Sequence, residues 1–210
     1  MLTATEREIC ETRKEAAKSA LLFFKGKHIK SANNPFHWVG NRSGRQAAWN
    51  TINNYRTNDS HLASVAQTVE NVSATGVGNC EDKAVVLYFN LHQNVRLSIS
   101  DHHHNVQIVG SVGWDHSFVI ISDVDIQPRQ PVDCYDLGKT CCIVDGWTED
   151  WHFPNMSLNE LNDNHLRSSC WIRQAWAREK IRRHKIGCTN ANILGYKHVK
   201  PKEDRSLKLR

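Results

Sequence analysis

The stretch Gly76-Val77-Gly78-Asn79-Cys80-Glu81-Asp82-Lys83-Ala84 constrains the fold most. Two glycines let the backbone reach positive φ and keep the approach to the next element open. The residues that follow, Ala84, Val85, Val86, Leu87, Tyr88, Phe89 and Leu91, are apolar enough for a buried helix. Cys80 therefore sits in the first turn of a helix that the rest of the domain must pack around. That position favours a thiolate, through the helix dipole and the unpaired N–H groups of the first turn. The same N–H groups can hold a developing oxyanion. A small buried cysteine at a helix start is the competing account, because free cysteine is among the most buried residue types.

Helices precede this stretch. Thr5-x-x-Glu8 has the form of a capping box and predicts a helix to about Phe24, with Gly26 as a stop. The polar segment from Ser31 to Gly44 reads as a loop, pinned to the core by Phe36 and Trp38. A helix is expected from Arg45 to about Tyr55, and another capped by Ser60, with Leu62, Val65, Ala66 and Val69 at helical spacing.

Strands follow. Val95 to Ile99 alternates as a strand does, and Val106, Ile108 and Val112 mark a second, with Gly110 as a candidate break. His116 to Ser122 has buried-strand composition, and Thr140 to Val144 is a fourth strand ending at Asp145-Gly146-Trp147. Gln127 to Gly138 reads as a loop. Ser157-x-x-Glu160 opens a short helix, and Trp171 to about Lys185 reads as a longer one. The fold class is α+β: one antiparallel sheet packed on the Cys80 helix. Residues 1–75 form a helical subdomain, 76–156 a catalytic core and 157–197 helices packed on that core, with 198–210 a basic, disordered tail.

A nucleophilic cysteine needs a base, and the base needs an orienting group. His116 opens one strand and Asp145 closes the next, so antiparallel pairing brings them to the same sheet edge. The Cys80 helix can bring its N-terminus there. Asp115 is a rival carboxylate, but as the strand neighbour of His116 it points to the other face. Asp82, inside the helix, has an electrostatic role at most. Asn79 and Gln67 are candidates for the second oxyanion donor, and Trp114, Trp147, Trp151 and Phe153 either line a substrate groove or pack in the core.

The order Gly-Asn-Cys-Glu-Asp-Lys-Ala, Asp-His-Ser-Phe-Val-Ile-Ile and Cys-Ile-Val-Asp-Gly-Trp resembles the transglutaminase-like branch of the papain-like cysteine protease superfamily. It is similar, more narrowly, to versions in effectors that bacteria inject into host cells. The likeness covers about Gly76 to Trp147. It implies a papain-like core, a Cys80–His116–Asp145 triad and acyl transfer through a thioester, without cofactor. Such families include transglutaminases, glutamine deamidases and proteases. The resemblance implies a protein substrate, such as a host protein, and leaves room for a regulatory protein partner. The alternatives are a cysteine protease and a catalytically inactive binding module that docks through its basic helix.

The remaining features bound the setting. Seven cysteines without a C-x-x-C pair predict thiols in a reducing compartment. The residues after Met1 lack the basic and apolar regions of a signal peptide, so cytosolic action is expected. No run approaches the roughly 20 apolar residues of a membrane span. The net charge of +5 comes from a basic excess in the segment Arg178 to Arg210, read as a solvated face and tail, with no nucleic acid expected. In the run His102-His103-His104, consecutive side chains alternate in direction, so at most two could share an ion, and no metal is expected. Nothing resembles a P-loop or a dinucleotide-binding glycine motif.

Overall fold

Two threonine-x-x-glutamate pairs overlap at the N-terminus, and the earlier one starts the first helix. In the computed structural model, the Thr3 hydroxyl accepts the N–H of Glu6, and the Glu6 carboxylate accepts the N–H of Thr3 at 2.7 Å. Helix α1 thus spans Ala4–Gly26, its cap two residues ahead of Thr5, and Leu2 is carried into the core. The structure describes residues 1–33, 38–58, 65–111, 116–127, 132–167 and 185–188.

The two-residue strand β1 (Lys30–Ser31) leads to α2 (Arg42–Asn58), which is longer at both ends than its periodicity predicts. Helix α3 is Val65–Thr75; the expected cap Ser60 lies outside the described residues, as does Phe36. Strand β2 (Val77–Gly78) then feeds α4 (Cys80–His92).

Helix α4 is the axis of the fold. Its apolar residues have no solvated stripe because α1, α3 and the sheet enclose it; Val86, Leu87 and Leu91 are fully buried. The residues from Val95 to Ile99 are not the expected strand. Asn94 caps a short helix α5 (Val95–Ser98) by accepting the N–H of Arg96, and Val95 and Ile99 stay exposed. Leu97 alone of the three apolar residues packs against the main core, as one turn of helix allows.

The sheet has the strand order β5-β8-β3-β4-β6-β7, with every pairing antiparallel. Its members are β3 (Asn105–Ser111), β4 (Ser117–Ser122), β5 (Val132–Asp133), β6 (Cys142–Asp145), β7 (Asp150–His152) and β8 (Lys185–Cys188). Gly110 does not break β3, since it pairs with Ser117 on one side and Gly187 on the other; Val112 lies outside the described residues. Strand β5 and a 3-10 turn at Cys134–Leu137 stand within the predicted Gln127–Gly138 loop.

All six residues of β4 are buried because both faces of the sheet are covered. Val119 and Ile121 join Cys142, Val144 and the α1–α4 core on one face; Phe118 and Ile120 join Ile126, Leu137 and Ile143 on the other. A continuous apolar run is what two covered faces require. Cys141 and Cys142 belong to these separate clusters, and Cys10, Cys80, Cys141 and Cys142 are free thiols. Helix α6 (Leu158–Asp163) starts from the Ser157–Glu160 capping box, as its sequence predicts. The helix expected from Trp171, and the tail from His198, lie outside the described residues, apart from Lys185 in β8. Among the described residues no helix is long and apolar enough to cross a membrane.

Candidate active site

Cys80 is delivered by a short parallel ladder. Lys30 pairs with Val77 and Ser31 with Gly78, and the N–H groups of Lys30 and Ala32 donate to Gly76 and Gly78. Gly76 takes φ +67°, in the left-handed region that glycine tolerates. Asn79 then caps α4: its Oδ1 accepts the N–H of Asp82 at 3.0 Å, while Asp82 Oδ2 accepts the N–H of Asn79 at 2.9 Å. The Tyr55 hydroxyl, from α2, donates to the same Asp82 oxygen. Asp82 thus braces the helix start, and the Asn79 side chain serves as the cap.

His116 and Asp145 meet where the antiparallel pairing predicts. Strand β4 pairs with β6, Val119 against Val144 and Ile121 against Cys142. This register puts His116, just before β4, beside Asp145, the last residue of β6. His116 Nε2 lies 3.0 Å from Asp145 Oδ2, and the imidazole is also hydrogen-bonded to Cys80. With Nε2 on the carboxylate, Nδ1 is the nitrogen left for the thiol. That is the reverse of the serine triad, in which Nε2 faces the nucleophile.

Charge reinforces the arrangement. Burial pushes His116 down, but the Asp145 charge and hydrogen bond, joined by Cys80, outweigh it and hold the imidazole up at about 10. Burial pushes the Asp145 carboxyl up; the His116 charge, the Trp147 N–H and the Thr148 side chain outweigh that and keep it below the ordinary value. The Trp147 N–H donates to Asp145 Oδ1 at 2.8 Å, so each carboxylate oxygen has a partner. The Trp147 ring stands edge-on to His116 at 5.7 Å between centroids, and Phe118 lies 5.8 Å from it. Burial pushes the Cys10 and Cys141 thiols up to about 12, and Cys142 well above its usual value.

The structure thus brings Cys80, His116, Asp145 and Trp147 together. Trp114 and Asp115 lie outside the described residues. Gln67 is on α3, where its Nε2 donates to Asn71. Trp151 and Phe153 are buried in the main core, edge to face with each other, and do not line a groove. His104 Nδ1 accepts from Arg13 Nε at 3.1 Å, and His103 pairs with Asn105, so the histidine run is part of a structural contact. Among the described residues no group of three candidate ligands could hold a metal ion.

Two neighbours of the site are absent from the sequence expectations. Asn33 Nδ2 donates to Cys80 Sγ at 3.6 Å, and its buried Oδ1 has no hydrogen-bond partner among the described residues. Only the β1–β2 pairing reveals it, since Asn33 otherwise reads as a polar loop residue. Lys83 is fully buried, with Nζ donating to the Gly146 carbonyl at 3.1 Å. Its signal was present: one cation on an apolar helix, one turn after the cysteine. No family model, no curated protein and no solved structure matches the chain.

Proposed function

We propose that this chain is a cysteine-dependent acyl-transfer enzyme of the transglutaminase-like branch of the papain-like superfamily, acting on a protein carboxamide such as glutamine. The observation that carries the reading is the Cys80–His116–Asp145 relay, in which one imidazole is hydrogen-bonded to both a thiol and a buried carboxylate. The resemblance of the three segments adds the reaction class, and with it a papain-like core. It also adds the setting, a bacterial effector that works on a host protein in the host cytosol.

The chemistry follows from the geometry. With the shared proton already on the His116 imidazolium, the Cys80 sulfur attacks the carboxamide carbon as the thiolate of an ion pair. The C–S bond forms as the carbonyl π electrons move to oxygen. The N–H groups of the first turn of α4 and the Asn33 amide, 3.6 Å from the Cys80 sulfur, would hold that oxyanion. His116 then protonates the nitrogen, the C–N bond breaks, and ammonia leaves a thioester on Cys80. Water, deprotonated by His116, gives the carboxylate; a primary amine gives a new amide. In both cases Cys80 is regenerated as the leaving group.

Intact-mass analysis tests this. The protein is incubated with glutamine peptides, with and without an alkyl amine. A gain of about 1 Da marks deamidation, a loss of about 17 Da on joining the amine marks transamidation, and chain cleavage marks a protease. Absence of all three in wild type, or identical products from Cys80→Ala, overturns the reading and leaves the binding module.

A further inference from the structure

Lys83 lies one turn along α4 from Cys80, with its side chain wholly buried. A buried ammonium is costly to keep, and an apolar residue fills such a site more cheaply. Its contacts show what the charge holds. Nζ donates to the Gly146 carbonyl at 3.1 Å, lies 3.7 Å from Glu149 Oε1, and stands 4.4 Å from the centre of the Phe24 ring. Gly146 follows Asp145 and precedes Trp147, whose N–H donates to Asp145 Oδ1. The turn approaches α4 so closely that a Cβ on Gly146 would lie 3.0 Å from Lys83 Cβ. Glu149, at the end of this turn, holds φ +55°, a conformation that side chains other than glycine rarely adopt.

We propose that Lys83 is a positioning residue: by gripping the Gly146 carbonyl it ties the Asp145–Trp147 turn to the helix that carries the nucleophile. Cys80 and Lys83 share one rigid helix, so this grip fixes the spacing between thiol and carboxylate, and His116 is held in that gap. The groups facing the ammonium are Phe24 from α1, Gly146 and Glu149 from the turn, and the Asp145 charge from β6. Burial pushes Lys83 down to about 8 against the opposing pull of Glu149 and Asp145, so it is still protonated at neutral pH. The inference rests on the functional reading above, because it assigns Lys83 to the same relay.

The test is the rate at which iodoacetamide alkylates Cys80 at pH 7 in the full chain, followed by mass spectrometry of the Cys80 peptide. Four variants are compared with wild type: Lys83→Met, Glu149→Gln, Leu91→Val and His116→Ala. Lys83→Met is expected to slow alkylation about tenfold, since losing a hydrogen bond from a charged donor has an effect of that order. Glu149→Gln, which removes the nearer counter-charge of Lys83 and leaves that of Asp145, slows it by about threefold on the same reasoning. Leu91→Val perturbs the same core away from the turn, lowers the melting temperature, and leaves the rate within about twofold of wild type. Wild-type rates in both Lys83→Met and Glu149→Gln overturn the inference, as does equal slowing in Leu91→Val. Should Lys83→Met not fold, Glu149→Gln decides the matter alone. Equal rates in wild type and His116→Ala overturn the functional reading itself, and the inference with it.

Discussion

Asn33 and Cys80 are 47 residues apart in sequence, yet Asn33 Nδ2 stands 3.6 Å from Cys80 Sγ. The register of the β1–β2 ladder explains it: Ser31 is opposite Gly78, and two residues further along each chain come Asn33 and Cys80. If Cys80 is the nucleophile proposed above, this amide and the α4 N–H groups would together bind a tetrahedral oxyanion.

Asn33→Ala is therefore expected to lower kcat by about 10²-fold with little change in KM, the pattern of a donor used chiefly in the transition state. The melting temperature should stay within a few degrees, as Asn33 Oδ1 accepts no bond among the described residues that would be lost. Steady-state kinetics on a glutamine peptide check this. A rise in KM at constant kcat would instead make Asn33 a ground-state binding residue.

Cys80→Ala should abolish turnover while keeping the fold, whereas Cys141→Ala and Cys142→Ala should act through stability. The latter two thiols are fully buried on opposite faces of the sheet and hard to ionise. Circular dichroism melts alongside activity separate the two effects. Loss of turnover in either sheet variant without a lower melting temperature contradicts the assignment of Cys80 as sole nucleophile.

Asp145→Asn keeps the shape of the site but replaces an acceptor of the His116 proton with a group that can donate. The imidazole then turns or changes tautomer, and by analogy with other triads kcat falls by up to about 10⁴-fold. The kcat/KM of Asp145→Asn, set against that of Asp115→Asn, tests which carboxylate orients His116. Asp115→Asn should stay within a few-fold of wild type.

Stability should depend on pH through His116 and Lys83, with opposite signs. The folded His116 value of about 10 exceeds the ordinary 6.5, so its contribution is complete below 6.5 and is lost as pH rises through 10. Lys83, lowered from 10.5 to about 8, binds a proton in the unfolded chain but not in the folded one between those values, so its burial penalty is relieved as pH rises. Urea midpoints measured from pH 6.5 to 10 should fall first and then level off. His116→Ala should remove the fall, and Lys83→Met the levelling. A His116→Ala profile parallel to wild type refutes the coupling.

Gly146→Ala should be destabilising by about 1–3 kcal/mol, the range for overpacking. The added Cβ would lie 3.0 Å from Lys83 Cβ and 3.1 Å from Leu87 Cδ1, both on a helix that cannot retreat. Chemical denaturation measures it. A change under about 0.5 kcal/mol, the size of an ordinary surface substitution, would mean that the turn yields without resistance.

The α+β class and the meeting of His116 with Asp145 were legible because both follow from local pattern. A buried strand announces itself as an apolar run, and antiparallel neighbours join start to end. The Val95–Ile99 segment misled because alternation on the surface looks like alternation across a half-buried strand; only Asn94, a good cap, hinted at a helix turn. Strand β7 was hidden by its length, Asp150–His152 being too short for any period. Asn33 was invisible for a different reason: its role is created by a pairing between segments distant in sequence, and no local pattern encodes that.

The β1–β2 ladder has only two rungs of residue pairs, Lys30–Val77 and Ser31–Gly78. The sheet that carries the His116–Asp145 pair is far more extensive. The two halves of the site therefore belong to units of different cooperativity. Local opening of the ladder would withdraw Asn33 from Cys80 while the sheet stayed intact, and amide hydrogen exchange at Lys30 and Ala32 would report it, well below the free energy of global unfolding. On the proposed reading, the Asn33–Cys80 contact would then last only as long as a few peptide hydrogen bonds stay closed, a quantity that thermal melting does not read.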